Sequence, residues 1–379
     1  MIYILFLYLL IKSHFVGLAN TKFILIYGIP IYILIDLVLI FFLIKKMPSL
    51  IKKINILQLN RISLIMICFF IFYFFYSIFL FDTNLKDVLT NFSDLWPFIL
   101  FYFLVISNIK EKTILALISF FCFAIGFFYL VFYLSGFSFG TYQEYYNTDQ
   151  RVPLVFNTVF PLFFSFLSYK YLNKNNLYLS FILFFIVFIL WTSGFRSLSL
   201  SIFLILFLNF CSKIKFKSST SNFLFKYFGF IFFTFTMFYI PYYYLSNDSA
   251  IVSRFKINQE RFYILNERPL FGYGFIGKDS KVGKVISDAS LSRHSSTIKV
   301  VDAGYLDLLL RFGYIGTFIY LYILFKLSSL NININKIYLS DSFIISLIFI
   351  NFTLSVFSFS IGLVPFFIAC YVNQLQKKL

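Results

Sequence analysis

Long apolar runs, many of them the length of a membrane span and separated by short lysine-bearing stretches, leave this chain few ways to fold. A run of roughly 18 or more apolar residues matches the hydrocarbon thickness of a bilayer. Backbone inside it must close its own hydrogen bonds, which helices do. Charged residues are only 12% of the chain, about half the share of a soluble domain. The expected fold is therefore all-α, a polytopic integral membrane protein of about 12 transmembrane helices, with about 10–12 compatible with the pattern. The spans are expected near 2–18, 23–44, 62–81, 94–109, 113–135, 152–170, 177–193, 196–212, 223–245, 304–326, 341–357 and 359–373. The first run has no small-residue cleavage site and no polar segment after it, so it reads as an uncleaved span rather than a signal peptide.

Lysine placement sets the orientation. Lys45, Lys46, Lys52, Lys53 and Arg61 fall in one loop, and Lys377 and Lys378 in the tail. By the positive-inside bias these face the cytoplasm, as do both termini. Loops 82–94 and 136–151 balance their basic residues with acidic ones and fall outside, while Lys12 and Lys22 mildly oppose the scheme. The organisation is then 1–245 with nine spans, 246–303 as one large periplasmic loop, and 304–379 with three spans and a cytoplasmic tail. The same bias accounts for the net charge of +17 without a nucleic-acid partner. Cys68, Cys122, Cys211 and Cys370 lie in or at the ends of apolar runs with no disulfide or metal spacing, and read as packing residues. His14 and His294 are the only histidines, so a metal site is not expected.

The segment from Asn247 to Gly316 is the long polar exception, and candidate chemistry concentrates there. Gly272-Tyr273-Gly274-Phe275-Ile276-Gly277 matches the dinucleotide fingerprint in letters only, because that motif needs a strand before it and a βαβ unit around it. A tight turn, with Pro269 ending the preceding element, is the better reading. Its glycines also let backbone approach a ligand closely. Arg254, Arg261 and Arg268 recur every seven residues, which places three guanidiniums on one helical face. That face is either solvated or a basic groove, since Arg forks phosphate bidentately. Arg196, in the turn Trp191-Thr192-Ser193-Gly194-Phe195-Arg196-Ser197, is either an interfacial snorkelling residue or an anion ligand at a helix N-terminus.

Asp302 reads as the N-cap of a helix starting near Gly304. On that helix Asp307 and Arg311 are four apart and can pair. Arg311 would lie roughly 10 Å along it at 1.5 Å per residue, a depth at which ionisable groups face a cavity or each other. His294 reads as a solvated loop residue or, from its near-neutral pKa, as a base.

Three stretches resemble the bacterial O-antigen and capsule repeat-unit polymerases and the related O-antigen ligases. They are the small-residue–Arg turn ending at Arg196, the Arg268-Pro269-Leu270-Phe271-Gly272-Tyr273-Gly274 segment, and Asp302-Ala303-Gly304-Tyr305-Leu306 continuing through Leu309-Leu310 to Gly313 and Gly316. The likeness covers the overall topology and, in detail, about 191–197 and 254–316. A weaker likeness lies at Arg151, Pro153 and Asn157. Ligases of this group carry a His where this chain has Asp302, which favours the polymerase.

The resemblance implies a metal-independent, cofactor-free membrane glycosyltransferase in the bacterial inner membrane, serving lipopolysaccharide or capsule biosynthesis. Its substrates would be undecaprenyl-diphosphate-linked oligosaccharides, joined on the periplasmic face among membrane lipids, with a chain-length regulator and a flippase as further partners. It assigns Asp302, His294 and Arg268 to catalysis. Arg196, Arg254, Arg261, Arg311, Gly272, Gly274 and Tyr305 would hold diphosphate or glycan. The alternatives are a ligase that moves glycan to lipid A core, or a lipid-linked oligosaccharide flippase or other transporter.

Overall fold

The structure is a computed structural model that describes 56–81, 97–107, 109–114, 261–275, 304–330, 339–352 and 360–378. It also describes parts of 25–30, 37–45, 83–95, 116–117, 204–208, 227–231, 258–259 and 357–358. Of the expected site residues, Arg196, Arg254, His294 and Asp302 lie outside the described residues, as do the spans expected at 2–18, 152–170 and 177–193.

The described residues are helical apart from turns and one small pairing. Strands β1 (Leu25–Ile26) and β2 (Ile29–Pro30) run antiparallel, with Leu25 opposite Pro30 and Ile26 opposite Ile29. This corrects the helix expected from residue 23. Pro30 has no N–H to give and biases Ile29 toward extended backbone, and among the described residues of this stretch the helical ones begin at 37.

Among the described residues five longer helices follow. Helix α1 (Ile56–Phe81) has 26 residues, about 39 Å of rise. Helix α2 (Pro97–Ser107) opens on proline, whose missing N–H costs nothing at the first helical position. Helix α3 (Gly304–Ser328) starts where the sequence places it. Helix α4 (Leu339–Ile350) is followed by α5 (Ser360–Lys378), which runs through Pro365. The Arg61–Phe81 part of α1 and the whole of α3 are long and apolar enough to cross a membrane, by length and composition, and among the described residues these are the two that are.

Helix α4 stops short of the 341–357 expectation. Its 12 residues rise only about 18 Å, less than a bilayer core. Past its end the Asn351 side chain accepts a hydrogen bond from the Phe357 N–H at 3.0 Å. Asn and Asp side chains compete in this way with the helical ladder.

By contact the chain forms two compact units, each discontinuous in sequence: residues 1–54, 96–202 and 363–379, and residues 55–95 and 203–362. In the first, Phe98 and Phe101 of α2 pack on Phe367 of α5 at 4.6 and 5.5 Å. The Tyr371 hydroxyl donates to the Ile109 carbonyl at 2.9 Å. In the second, α1 lies along α3. Phe69 contacts Phe312 at 5.1 Å and Tyr73 at 4.8 Å, and Phe312 stacks toward Tyr320 at 5.4 Å. Gly316 permits the close crossing, because a Cβ there would meet the Tyr73 hydroxyl. Small residues at such crossings are the usual way apolar helices approach.

Candidate functional site

The site is built on the second unit. Residues 261–267 are helical and end at Pro269, as the sequence predicts. The chain then turns sharply. Gly272 N–H donates to the Arg268 carbonyl at 3.0 Å, and both Gly272 (φ 64) and Gly274 (φ 70) take the left-handed backbone that glycine tolerates.

This turn docks on a break in α3. At Gly313 the helix adopts φ 63 and ψ −172, a region open essentially to glycine alone. Two carbonyls and two N–H groups leave the helical ladder there, and the turn satisfies all four. Tyr273 N–H donates to the Leu310 carbonyl at 2.9 Å, and Gly274 N–H to the Arg311 carbonyl at 2.7 Å. In return Tyr314 N–H reaches the Pro269 carbonyl at 2.7 Å, and Ile315 N–H the Leu270 carbonyl at 3.1 Å. The approach leaves no room for side chains. A Cβ on Gly272 would lie 2.6 Å from both Gly313 N and the Leu310 carbonyl oxygen, and one on Gly313 would meet the Leu270 main chain. Gly272 and Gly274, expected to approach a ligand, here lie against the protein's own main chain and Ser77.

Helix α1 holds the same junction with side chains. The Tyr73 hydroxyl donates to the Phe312 carbonyl at 2.6 Å, just before the break. Tyr76 donates to the Gly272 carbonyl at 3.1 Å. Ser77 accepts from Phe275 N–H at 2.7 Å while donating to the Tyr73 carbonyl at 2.6 Å. Gly274 lies against Ser77, and a Cβ there would strike its hydroxyl.

The charged groups divide into two environments. Arg268 is exposed, with its guanidinium over the Phe81 ring at 5.5 Å and in hydrogen-bond reach of Tyr76. A cation over an aromatic face is held there without losing its solvent-facing donors. Beside it, the Tyr273 hydroxyl meets the Ile264 carbonyl at 2.8 Å and Glu267 at 3.0 Å. Burial first, and the Glu267 carboxylate second, push the Tyr273 phenol above its ordinary range, so it stays a protonated donor. Arg261, also expected at the site, is half-buried one helical stretch earlier.

Arg311 is different. It is buried, and its Nε pairs with Asp307 at 3.0 Å, with both side chains almost fully enclosed. The expected i, i+4 pair therefore forms, and it forms inside the protein. Tyr305 turns elsewhere: its hydroxyl donates to the Ile348 carbonyl of α4 at 2.9 Å, and its ring lies 4.6 Å from Phe352. Of the expected residues, the structure brings Arg268, Gly272, Gly274 and Arg311 to one junction, while Tyr305 sits a helical stretch away. Sequence reasoning missed Tyr73, Tyr76, Ser77 and Phe81 of α1. Their partners are about 200 residues distant in the chain, and no local pattern announces them.

Among the described residues, no group of three or more His, Cys, Asp and Glu comes together as a metal cluster would. No family model, no curated protein and no solved structure matches the chain.

Proposed function

We propose that the chain is a surface-polysaccharide polymerase that joins undecaprenyl-diphosphate-linked repeat units at the outer face of a bacterial inner membrane. It would cross that membrane about 12 times with both termini in the cytoplasm. One observation carries the reading. Two of the three stretches that resemble such polymerases, 268–274 and 302–316, are separate in sequence yet meet through four main-chain hydrogen bonds. An exposed arginine stands beside that junction.

In the proposed reaction an acceptor sugar hydroxyl attacks the anomeric carbon of the growing chain. The C–O bond to the lipid diphosphate breaks, and undecaprenyl diphosphate leaves with the electron pair. Asp302 or His294 takes the hydroxyl proton. Guanidiniums stabilise the charge that builds on the departing diphosphate. Arg268 is the best-placed of them among the described residues, with Arg196, Arg254 and Arg261 as the further assignments. Arg311, engaged by Asp307, acts from behind the junction.

A second reading has a specific observation behind it. A helix broken in mid-course with a buried ion pair beside the break is also how transporters build sites within the membrane. A gel of surface glycan from a deletion strain separates the readings. Loss of the polymerase leaves a single repeat unit on the lipid core. Loss of a transporter leaves no glycan there and an excess of lipid-linked units on the cytoplasmic side.

A further inference from the structure

The four main-chain groups freed at the α3 break are each other's helical partners. In an unbroken α-helix each N–H bonds the carbonyl four residues earlier. Tyr314 is four after Leu310, and Ile315 is four after Arg311. The docked turn has replaced those two bonds with its own four, two from Tyr273 and Gly274 and two to Pro269 and Leu270. Gly313 is the residue that must change conformation between the two patterns, and glycine crosses between left- and right-handed backbone without a Cβ penalty.

We propose that α3 is a two-state helix, either broken with the turn 269–275 inserted, as observed, or continuous with the turn released. Neither state strands a main-chain group of α3, and in the released state the turn's own Tyr273 and Gly274 N–H groups and Pro269 and Leu270 carbonyls pass to water, since an unpaired group is costly in an apolar setting. The released state frees Tyr273 and Gly274 N–H from α3 and separates Gly272 from Tyr76. It therefore changes the surroundings of Arg268, whose guanidinium lies over the Phe81 ring in the inserted state, beside the Tyr76 that holds the Gly272 carbonyl. A polyanion that needs Arg268 in that position favours the inserted state by its difference in affinity for the two. This last step, control of diphosphate binding by turn insertion, rests on the polymerase reading. The two-state helix itself rests on the hydrogen-bond pattern.

Residue-resolved hydrogen exchange on the full chain in lipid nanodiscs tests the proposal. If turn release closes the helix, Tyr273 and Gly274 amides exchange through that opening while Tyr314 and Ile315 stay protected. The wild-type protein then shows faster exchange at the first pair than at the second, although all four bond across one junction. Gly313→Ala forces the matter, since a Cβ there meets Leu270 and alanine favours continuous helix. Protection at Tyr273 and Gly274 should fall roughly ten- to a hundredfold, with Tyr314 and Ile315 unchanged. Equal exchange of all four amides in the wild type, or equal loss at all four in the variant, overturns the proposal. Should Gly313→Ala fail to fold, the wild-type order decides alone. Inorganic pyrophosphate, added to the wild type, should slow exchange at Tyr273 and Gly274. No slowing, with the exchange order intact, counts against the diphosphate reading and leaves the two-state helix standing.

Discussion

Helices α1 and α3 are both long enough to cross a membrane and lie side by side, yet they are built in opposite ways. After Arg61, α1 carries no charge, contains no glycine and keeps an unbroken ladder. It is apolar on all sides, with Phe79 and Leu64 exposed by 76% and 66%, and it reaches its neighbours through the hydroxyls of Tyr73, Tyr76 and Ser77. Helix α3 holds a buried ion pair, breaks at Gly313, and meets its neighbours with main chain. The difference teaches where specificity sits in so apolar a chain. Phenylalanines give contact on any face, whereas bare backbone can be met by only one partner in one register. The candidate site lies where the intact helix supports the broken one.

The buried pair of α3, which has no counterpart on α1, is the most sensitive point. Asp307→Leu leaves Arg311 enclosed without its carboxylate and should cost about 3–5 kcal/mol of stability. The double variant Asp307→Leu/Arg311→Met removes both charges and should regain most of that loss. Thermal unfolding of the purified protein in detergent measures both. A single variant no less stable than the double would mean that the pair is not a closed unit. On α1, Phe79→Ala, which trims an exposed ring, should stay within about 0.5 kcal/mol of the parent.

Next comes the exposed arginine that α1 supports. If Arg268 grips a diphosphate, its planar fork matters as well as its charge. Charge-assisted contacts of about 1.5–3 kcal/mol then make Arg268→Lys slow turnover by roughly tenfold to a hundredfold, with normal insertion and accumulation. Lys278→Ala and Lys281→Ala, in the same loop but outside the resembling stretches, should leave the glycan ladder as it is. A wild-type ladder from Arg268→Lys would move the diphosphate role to Arg196, Arg254 or Arg261.

Gly272→Ala follows. Its left-handed φ and the main chain of α3 at 2.6 Å both oppose a Cβ. Backbone strain of this kind costs about 1–3 kcal/mol, read as a lower unfolding midpoint. An unchanged midpoint would mean that the turn does not pack on α3 as closely as observed.

Part of this arrangement is legible in the sequence. The Asp307–Arg311 pair and the turn after Pro269 are legible, because each is decided within a few residues by i, i+4 spacing or proline geometry, and α3 starts where the sequence places it. The break at Gly313 is not. A glycine in an apolar run is equally a packing residue, and only the distant turn that satisfies the freed groups makes a break affordable. The early stop of α4 is missed for the same reason: Asn351 competes with the ladder only once Phe357 returns to meet it. Apolar periodicity cannot help on α1, where every face is apolar. What could have been read is the glycine set itself, Gly272 and Gly274 against Gly313 and Gly316, as a mark of two backbones in contact.

The mildest change lies where the two helices touch. The Tyr73 hydroxyl has two relations to α3. It donates to the Phe312 carbonyl at 2.6 Å, and it fills the space a Cβ on Gly316 would need. Tyr73→Phe gives up one hydrogen bond and should cost about 1 kcal/mol. Gly316→Ala alone improves helix propensity but drives a methyl into that hydroxyl, so it should destabilise. Combined, the two changes should cost less than the sum of each alone, since the phenyl ring leaves room that the phenol does not. The relief is partial, because Tyr73 Cζ and Phe312 Cβ also lie 2.8 and 2.9 Å from the added methyl. A coupling of about 0.5 kcal/mol or more is what residues in direct contact give. Strict additivity in the cycle would mean that α1 supports α3 without touching it at Gly316, and that the crossing is held by the aromatic rings alone.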